Sequence, residues 1–132
     1  MNIIEVSTTK SKQVIDITDD VEQVIEKQKK QDGICHLFLT HTTAALSTAD
    51  LDPGTDTDIL DALEQVIPKL NYRHPHNPAH APDHIRSTLI GPSLLVPFED
   101  KKLILGSWQR VILLEFDGPR KRKVVASILA TS

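Results

Sequence analysis

The chain has 132 residues, 39% hydrophobic and 25% charged, the balance of one folded domain and not of a disordered or membrane-embedded segment. A net charge of -3 argues against nucleic acid as the main partner, and no apolar run approaches the roughly 18 residues that span a bilayer. The lone Cys35 cannot close an internal disulfide, and the first residues lack the charged-then-apolar layout of a signal peptide, so a cytoplasmic protein is expected.

In chain order, the β-branched stretches 3–6 and 14–17 read as two strands. TDDVEQVIEKQKKQDG (18–33) reads as a helix with an Asp19/Glu22 capping box, Val21, Val24 and Ile25 on one face, lysines at its C-terminal end and Gly33 as its stop. ICHLFLT (34–40) reads as a buried strand with Cys35 as a small hydrophobe and His36 on the strand face. HTTAALSTAD (41–50) reads as a second, small-residue strand. DTDILDALEQVIP (56–68) then places Ile59, Leu60, Leu63, Val66 and Ile67 on one helical stripe that ends before Pro68. From Arg86 onward STLIG, SLLVPF, KLILG, WQRVILLEF and RKVVASILA read as strands between turn signals. VILLEF is apolar on consecutive residues, which predicts a strand covered on both faces, by a sandwich or by a neighbouring subunit. The order ββαββα followed by several strands defines an α+β chain.

Six histidines outnumber the aromatics (three Phe, one Trp, one Tyr), and four lie in YRHPHNPAHAPDHIR (72–86). His76, His80 and His84 are four apart, but Pro75, Pro78 and Pro82 interleave them and predict an irregular loop instead of a ligand-bearing helix. His41, at the end of a buried strand, joins them as a candidate. With Asp50, Asp52 and Asp83 these imidazoles supply the ligand types that a divalent metal accepts, and the same groups could bind phosphate or move protons. Trp108, beside Gln109 and Arg110, is either a core anchor or part of a binding surface. Arg120 to Lys123, after the DGP turn, could be a solvated run or a phosphate clamp. No Walker loop, GxGxxG, GxSxG or HExxH is present, which sets aside P-loop, Rossmann and common hydrolase chemistry.

HTTAAL (41–46), DLDPGTDTD (50–58), DHIRSTLIGPSLLVPF (83–98) and LGSWQRVILLEFDGPRKR (105–122), in this order and spacing, resemble the YjbQ-like family, also described as the secondary thiamine-phosphate synthase family. The resemblance implies a single-domain β-sandwich of mostly antiparallel strands with two helices, assembled as a homotrimer. It implies catalytic roles for His41, His74, His84 and Asp50, with substrate contacts from Trp108, Gln109, Arg110 and Arg120. It implies a zinc or magnesium ion on His41, His74 and His84, with His76 and His80 as substitutes. The implied reaction joins hydroxymethylpyrimidine diphosphate to thiazole phosphate and releases pyrophosphate, an activity that leaves room for a different physiological role. A non-catalytic trimer that binds metal or phosphate with the same histidines is the alternative.

Overall fold

The computed structural model describes residues 1–131. The chain runs β1 (Asn2–Ser7), β2 (Gln13–Asp16), α1 (Thr18–Glu26), β3 (Gly33–Leu39), β4 (Ala44–Ala49), α2 (Thr55–Val66), a 3-10 turn (Pro78–His80), α3 (Ala81–Ile90), β5 (Ser93–Glu99), β6 (Lys102–Leu103), β7 (Arg110–Glu115) and β8 (Lys121–Ala130). The strands form a five-stranded sheet in the order β1-β8-β3-β5-β6 and a three-stranded sheet in the order β2-β7-β4, with every pairing antiparallel.

Alternation along the strands decides how the layers stack. Cys35, Leu37 and Leu39 of β3, Val96 and Phe98 of β5, and Val124 and Ala126 of β8 point inward from the large sheet. They meet Ala44, Leu46, Val111 and Leu113 of the small sheet, with Ile17, Val21 and Ile25 closing one end of the same core. The small sheet turns its other face, Ala45, Ile112, Leu114 and Phe116, toward Ile59, Leu60 and Leu63 of α2 and Ile90 of α3. VILLEF is therefore covered on both faces within one chain. A group of apolar side chains left to water lies instead on the outer face of the large sheet, where Ile3, Phe38, Leu95 and Leu129 are each at least 42% exposed. His36 sits on this face, its Nε2 2.8 Å from Ser93 Oγ.

Several expectations change. α1 shows no Asp19 cap: Asp16 Oδ1 accepts from the Thr18 backbone N–H at 3.0 Å and from its hydroxyl at 2.6 Å, so the preceding strand's carboxylate occupies that place. The helix ends at Glu26, and Gly33 begins β3 instead. A Cβ on Gly33 would lie 2.5 Å from Leu129 O and 3.0 Å from the Phe98 ring, so only glycine lets β3 approach β8 there. Val66 leaves the α2 stripe and is exposed, while Ile67 is buried.

The largest change is α3. STLIG is its second half, not a strand, and the helix begins inside the histidine segment. Pro82 lies in the first turn, where an N–H has no intrahelical acceptor to lose, so it starts the helix instead of forbidding it. Gly91, at φ 104°, ends it. Among the described residues there are thus three α-helices in place of the two expected, and β6 is only two residues of KLILG.

Candidate functional site

β3 ends at Leu39 and β4 begins at Ala44, so residues 40–43 cross from the large sheet to the small one. The turn between β7 and β8, and the start of α3, come to the same end of the sandwich. Between them lies a cleft of about 620 Å³ where His41, His80 and His84 face Arg120, Lys121 and Arg122. Thr40, Thr42 and Thr43 add hydroxyls, and Asp117 is the one acid on the wall.

The floor is a buried ion pair that the sequence reading did not single out. Arg122 is 2% exposed and Glu115 is not exposed at all. Arg122 Nε donates to Glu115 Oε1 at 2.9 Å and its Nη2 to Oε2 and to Thr43 Oγ1, the latter at 2.8 Å. Thr8 Oγ1 donates to Glu115 Oε1 at 2.7 Å, and the Asp117 N–H to Oε2 at 3.1 Å. Burial alone would raise the Glu115 pKa; the bonds from Arg122, Thr8 and Asp117 outweigh it and hold the carboxyl below its ordinary range. The signal for this pair was a charged residue at an inward position of an apolar strand, Glu115 in VILLEF and Arg122 two residues before Val124.

His41 Nε2 accepts the Lys123 backbone N–H at 2.9 Å. An amide N–H can only donate, so this nitrogen carries a lone pair and, in the neutral ring, Nδ1 carries the proton. Burial, then the Arg122 charge, lowers the His41 pKa, which favours that neutral form. His41 is thus a neutral N–H donor. His74 Nδ1 lies 3.1 Å from the Asn77 carbonyl, which fixes a proton there, and its ring stacks on His84 at 4.7 Å between centroids. His80 Nδ1 is 3.9 Å from Asp117 Oδ2, the oxygen that Arg120 Nη2 approaches at 2.9 Å.

The sequence-predicted residues fall into two groups. His41, His84 and Arg120 line the cleft, His80 joins them, and His74 backs His84. His76 sits at φ 70° in the exposed loop, away from the cleft lining. Asp50, Trp108, Gln109 and Arg110 gather at the opposite end of β4 and β7, where Ala49 pairs with Arg110. Six strand residues separate the ends, about 20 Å at ~3.3 Å per residue. Trp108 is 74% exposed and so is no core anchor. Gln109 Nε2 donates to Thr48 Oγ1 at 2.9 Å, and Arg110 Nε donates to Asp16 Oδ2 at 2.7 Å, both in solvent. Asp50 caps its own turn through the Asp52 N–H. Among the described residues no three His, Cys, Asp or Glu side chains come close enough to hold a metal ion.

The model of the family described as UPF0047 protein YjbQ-like matches residues 2–131. The chain belongs to this family. It is 40% identical over 127 residues to a UPF0047 protein of Archaeoglobus fulgidus, covering 96% of this chain and 98% of that one. It is 32% identical over 123 residues to the UPF0047 protein YugU of Bacillus subtilis, covering 92% and 93%. Among solved structures, it is similar to a YbjQ-like protein of unknown function from Sulfolobus solfataricus, with TM-score 0.90, 35% identity and 98% and 95% of the two chains covered. A Clostridium acetobutylicum protein of the YjbQ/UPF0047 family gives TM-score 0.89 at 37% identity, covering 98% and 100%. The α+β architecture is thus the YjbQ-like fold. Among the described residues no helix is long and apolar enough to cross a membrane.

Proposed function

We propose that the histidine–arginine cleft binds the diphosphate of a small phosphorylated substrate, in a reaction of the thiamine phosphate synthase type. The supporting observation is the charge of the cleft: Arg120 and Lys121 stand on its wall with Asp117, itself paired to Arg120, while the Arg122 charge on its floor is matched by Glu115. In this reading the thiazole nitrogen forms a bond to the pyrimidine methylene as the carbon–oxygen bond to the diphosphate breaks, and the electron pair leaves with pyrophosphate. The side chains hold and stabilise that departing charge: the guanidinium of Arg120 as a bidentate clamp and the neutral His41 Nδ1–H as a donor that costs no rearrangement. The expected zinc or magnesium set does not fit these residues, because the His41 Nε2 lone pair is occupied by Lys123 and its Nδ1 carries a proton. No step is assigned to a metal.

Purified protein supplied with both substrates and Mg²⁺ is expected to form thiamine phosphate, and a His84→Ala control to form far less; equal traces from both would remove the chemistry. The alternative is a non-catalytic trimeric phosphate- or metal-binding protein located in the cytoplasm; the open apolar face of Ile3, Phe38, Leu95 and Leu129 supports assembly in either reading. In both readings the partner covering that face is a second copy, giving a homotrimer. Light scattering at micromolar concentration tests it, and a monomer would refute it. Elemental analysis of the same sample separates the versions: stoichiometric metal lost on His41→Ala would support the metal-holding one and overturn the argument from the occupied His41 Nε2.

A further inference from the structure

A second cavity, of about 490 Å³, lies on the other side of the 3-10 turn and the first turn of α3 from the histidine cleft. Ile67, Leu70, Pro78, Pro82 and the Tyr72 ring make an apolar wall, within the size and lining common to small-molecule sites. At its polar end Asp83 is 6% exposed and Arg86 4% exposed. Asp83 Oδ1 accepts from both Lys12 Nζ at 2.5 Å and Arg86 Nη1 at 3.1 Å. The rest of Arg86 is used, Nε on Leu63 O at 3.1 Å and Nη2 beside Glu64 at 3.3 Å. Lys12 Nζ makes one further bond, to Phe116 O at 2.5 Å.

Two hydrogen-bonding valences remain. No donor of the described chain reaches Asp83 Oδ2, and because every fully buried side-chain polar atom is partnered, Oδ2 keeps some accessible surface on a residue that lines the cavity. An ammonium has three protons, and Lys12 has used two. An acceptor and a donor thus stand side by side, attached to the same ion pair. Lining charges total three cations (Lys12, Lys69, Arg86) against two carboxylates (Glu64, Asp83), which disfavours a cationic ligand.

We propose that this cavity is a second small-molecule site, independent of the phosphate reading, for a flat uncharged heterocycle that presents an adjacent N–H and C=O, as a lactam edge does. The N–H donates to Asp83 Oδ2, the carbonyl accepts from Lys12, and the ring lies against Leu70, Tyr72 and Pro78.

The probe is 2-pyridone, with N-methyl-2-pyridone as the control that lacks the N–H, each titrated into the 15N-labelled full chain. For a ligand this small, binding in the millimolar range is expected, with saturable shifts at the amides of Ile67, Leu70 and Tyr72 and none at His41. The methylated control should bind about tenfold more weakly, the cost of one bond to a charged group. Ala79→Phe, which fills the cavity without touching the ion pair, should abolish the shifts while leaving the melting temperature unchanged. Asp83→Asn should weaken 2-pyridone and not the control. Equal binding of the two probes, shifts confined to the histidine cleft, shifts that survive Ala79→Phe, or no saturable shift at about 20 mM would each overturn the site. None of these outcomes bears on thiamine phosphate formation.

Discussion

β7 carries a charged residue at each end, Arg110 and Glu115, and the two ends treat them in opposite ways. At the histidine end, Glu115 and Arg122 are sealed from water and every oxygen of Glu115 is bonded. At the tryptophan end, Arg110 reaches Asp16 and Asp19 with its side chain 38% exposed, and Trp108 stands in solvent. An arginine–carboxylate pairing is thus a structural element in one place and a solvated contact in the other. Desolvation separates them: a buried ion left without its partner costs far more than the pair contributes, whereas water replaces a lost surface partner.

The largest test of this contrast removes one arginine from each end. Arg122→Met leaves Glu115 buried and unpaired, and is expected to cost about 3–5 kcal/mol by urea denaturation, with Glu115→Leu in the same chain recovering most of it. Arg110→Met at the exposed end should cost less than about 1 kcal/mol. Comparable losses would dissolve the distinction.

Ligand binding sharpens the same comparison. Arg120→Ala should weaken pyrophosphate about tenfold in calorimetry, while Trp108→Ala stays within about twofold, since Trp108 lies at the other end of β7. Equal losses would mean that the assembled protein brings one copy's tryptophan end to another's histidine end.

Two smaller effects concern protonation. The His41 pKa lies below its ordinary 6.5, so the unfolded chain binds the extra proton first. Stability from this residue is intact above about pH 6.5 and is lost as pH falls through the lowered folded value. Thermal melts should therefore decline below that pH more steeply for the native protein than for His41→Asn. Glu115 acts later, losing its contribution only as pH falls below its ordinary 4.5 toward its depressed folded value. Smallest of all, Cys35, fully buried with its thiol pushed up to about 11, should react with iodoacetamide at neutral pH only in the unfolded chain.

Much of this was legible from periodicity. Strand positions alternate as the sequence does, α2 ends at Val66 ahead of Pro68, and His36 and Cys35 take the places expected of them. His41, His84 and Arg120, named through the family resemblance, share one cleft in the structure, whereas Asp50, Trp108, Gln109 and Arg110, named with them, lie at the opposite end. What escaped is tertiary in origin. Pro82 is read as a helix breaker by local rules, yet its position in a first turn depends on where the chain begins to wind. Arg86 and Ser87 look like the polar start of a strand, but Leu63 O and Ala44 O bind them from other elements and bury them in α3. Trp108 offered no clue to its exposure, because an indole is normally worth burying. The double cover of VILLEF was foreseen, but the covering layer is α2 and α3, and the face left for a partner is on the other sheet.

Gly33 gives β3 an alignment mark made of empty space. Slide β3 by one residue against β8 and a branched side chain, Ile34, would enter a gap that cannot hold even a methyl group, at the moment every inward residue of the strand turned outward. The wrong register is therefore rejected sterically at one end and hydrophobically along the whole strand. The central strand of the large sheet can settle in only one place, and with it the turn that presents His41.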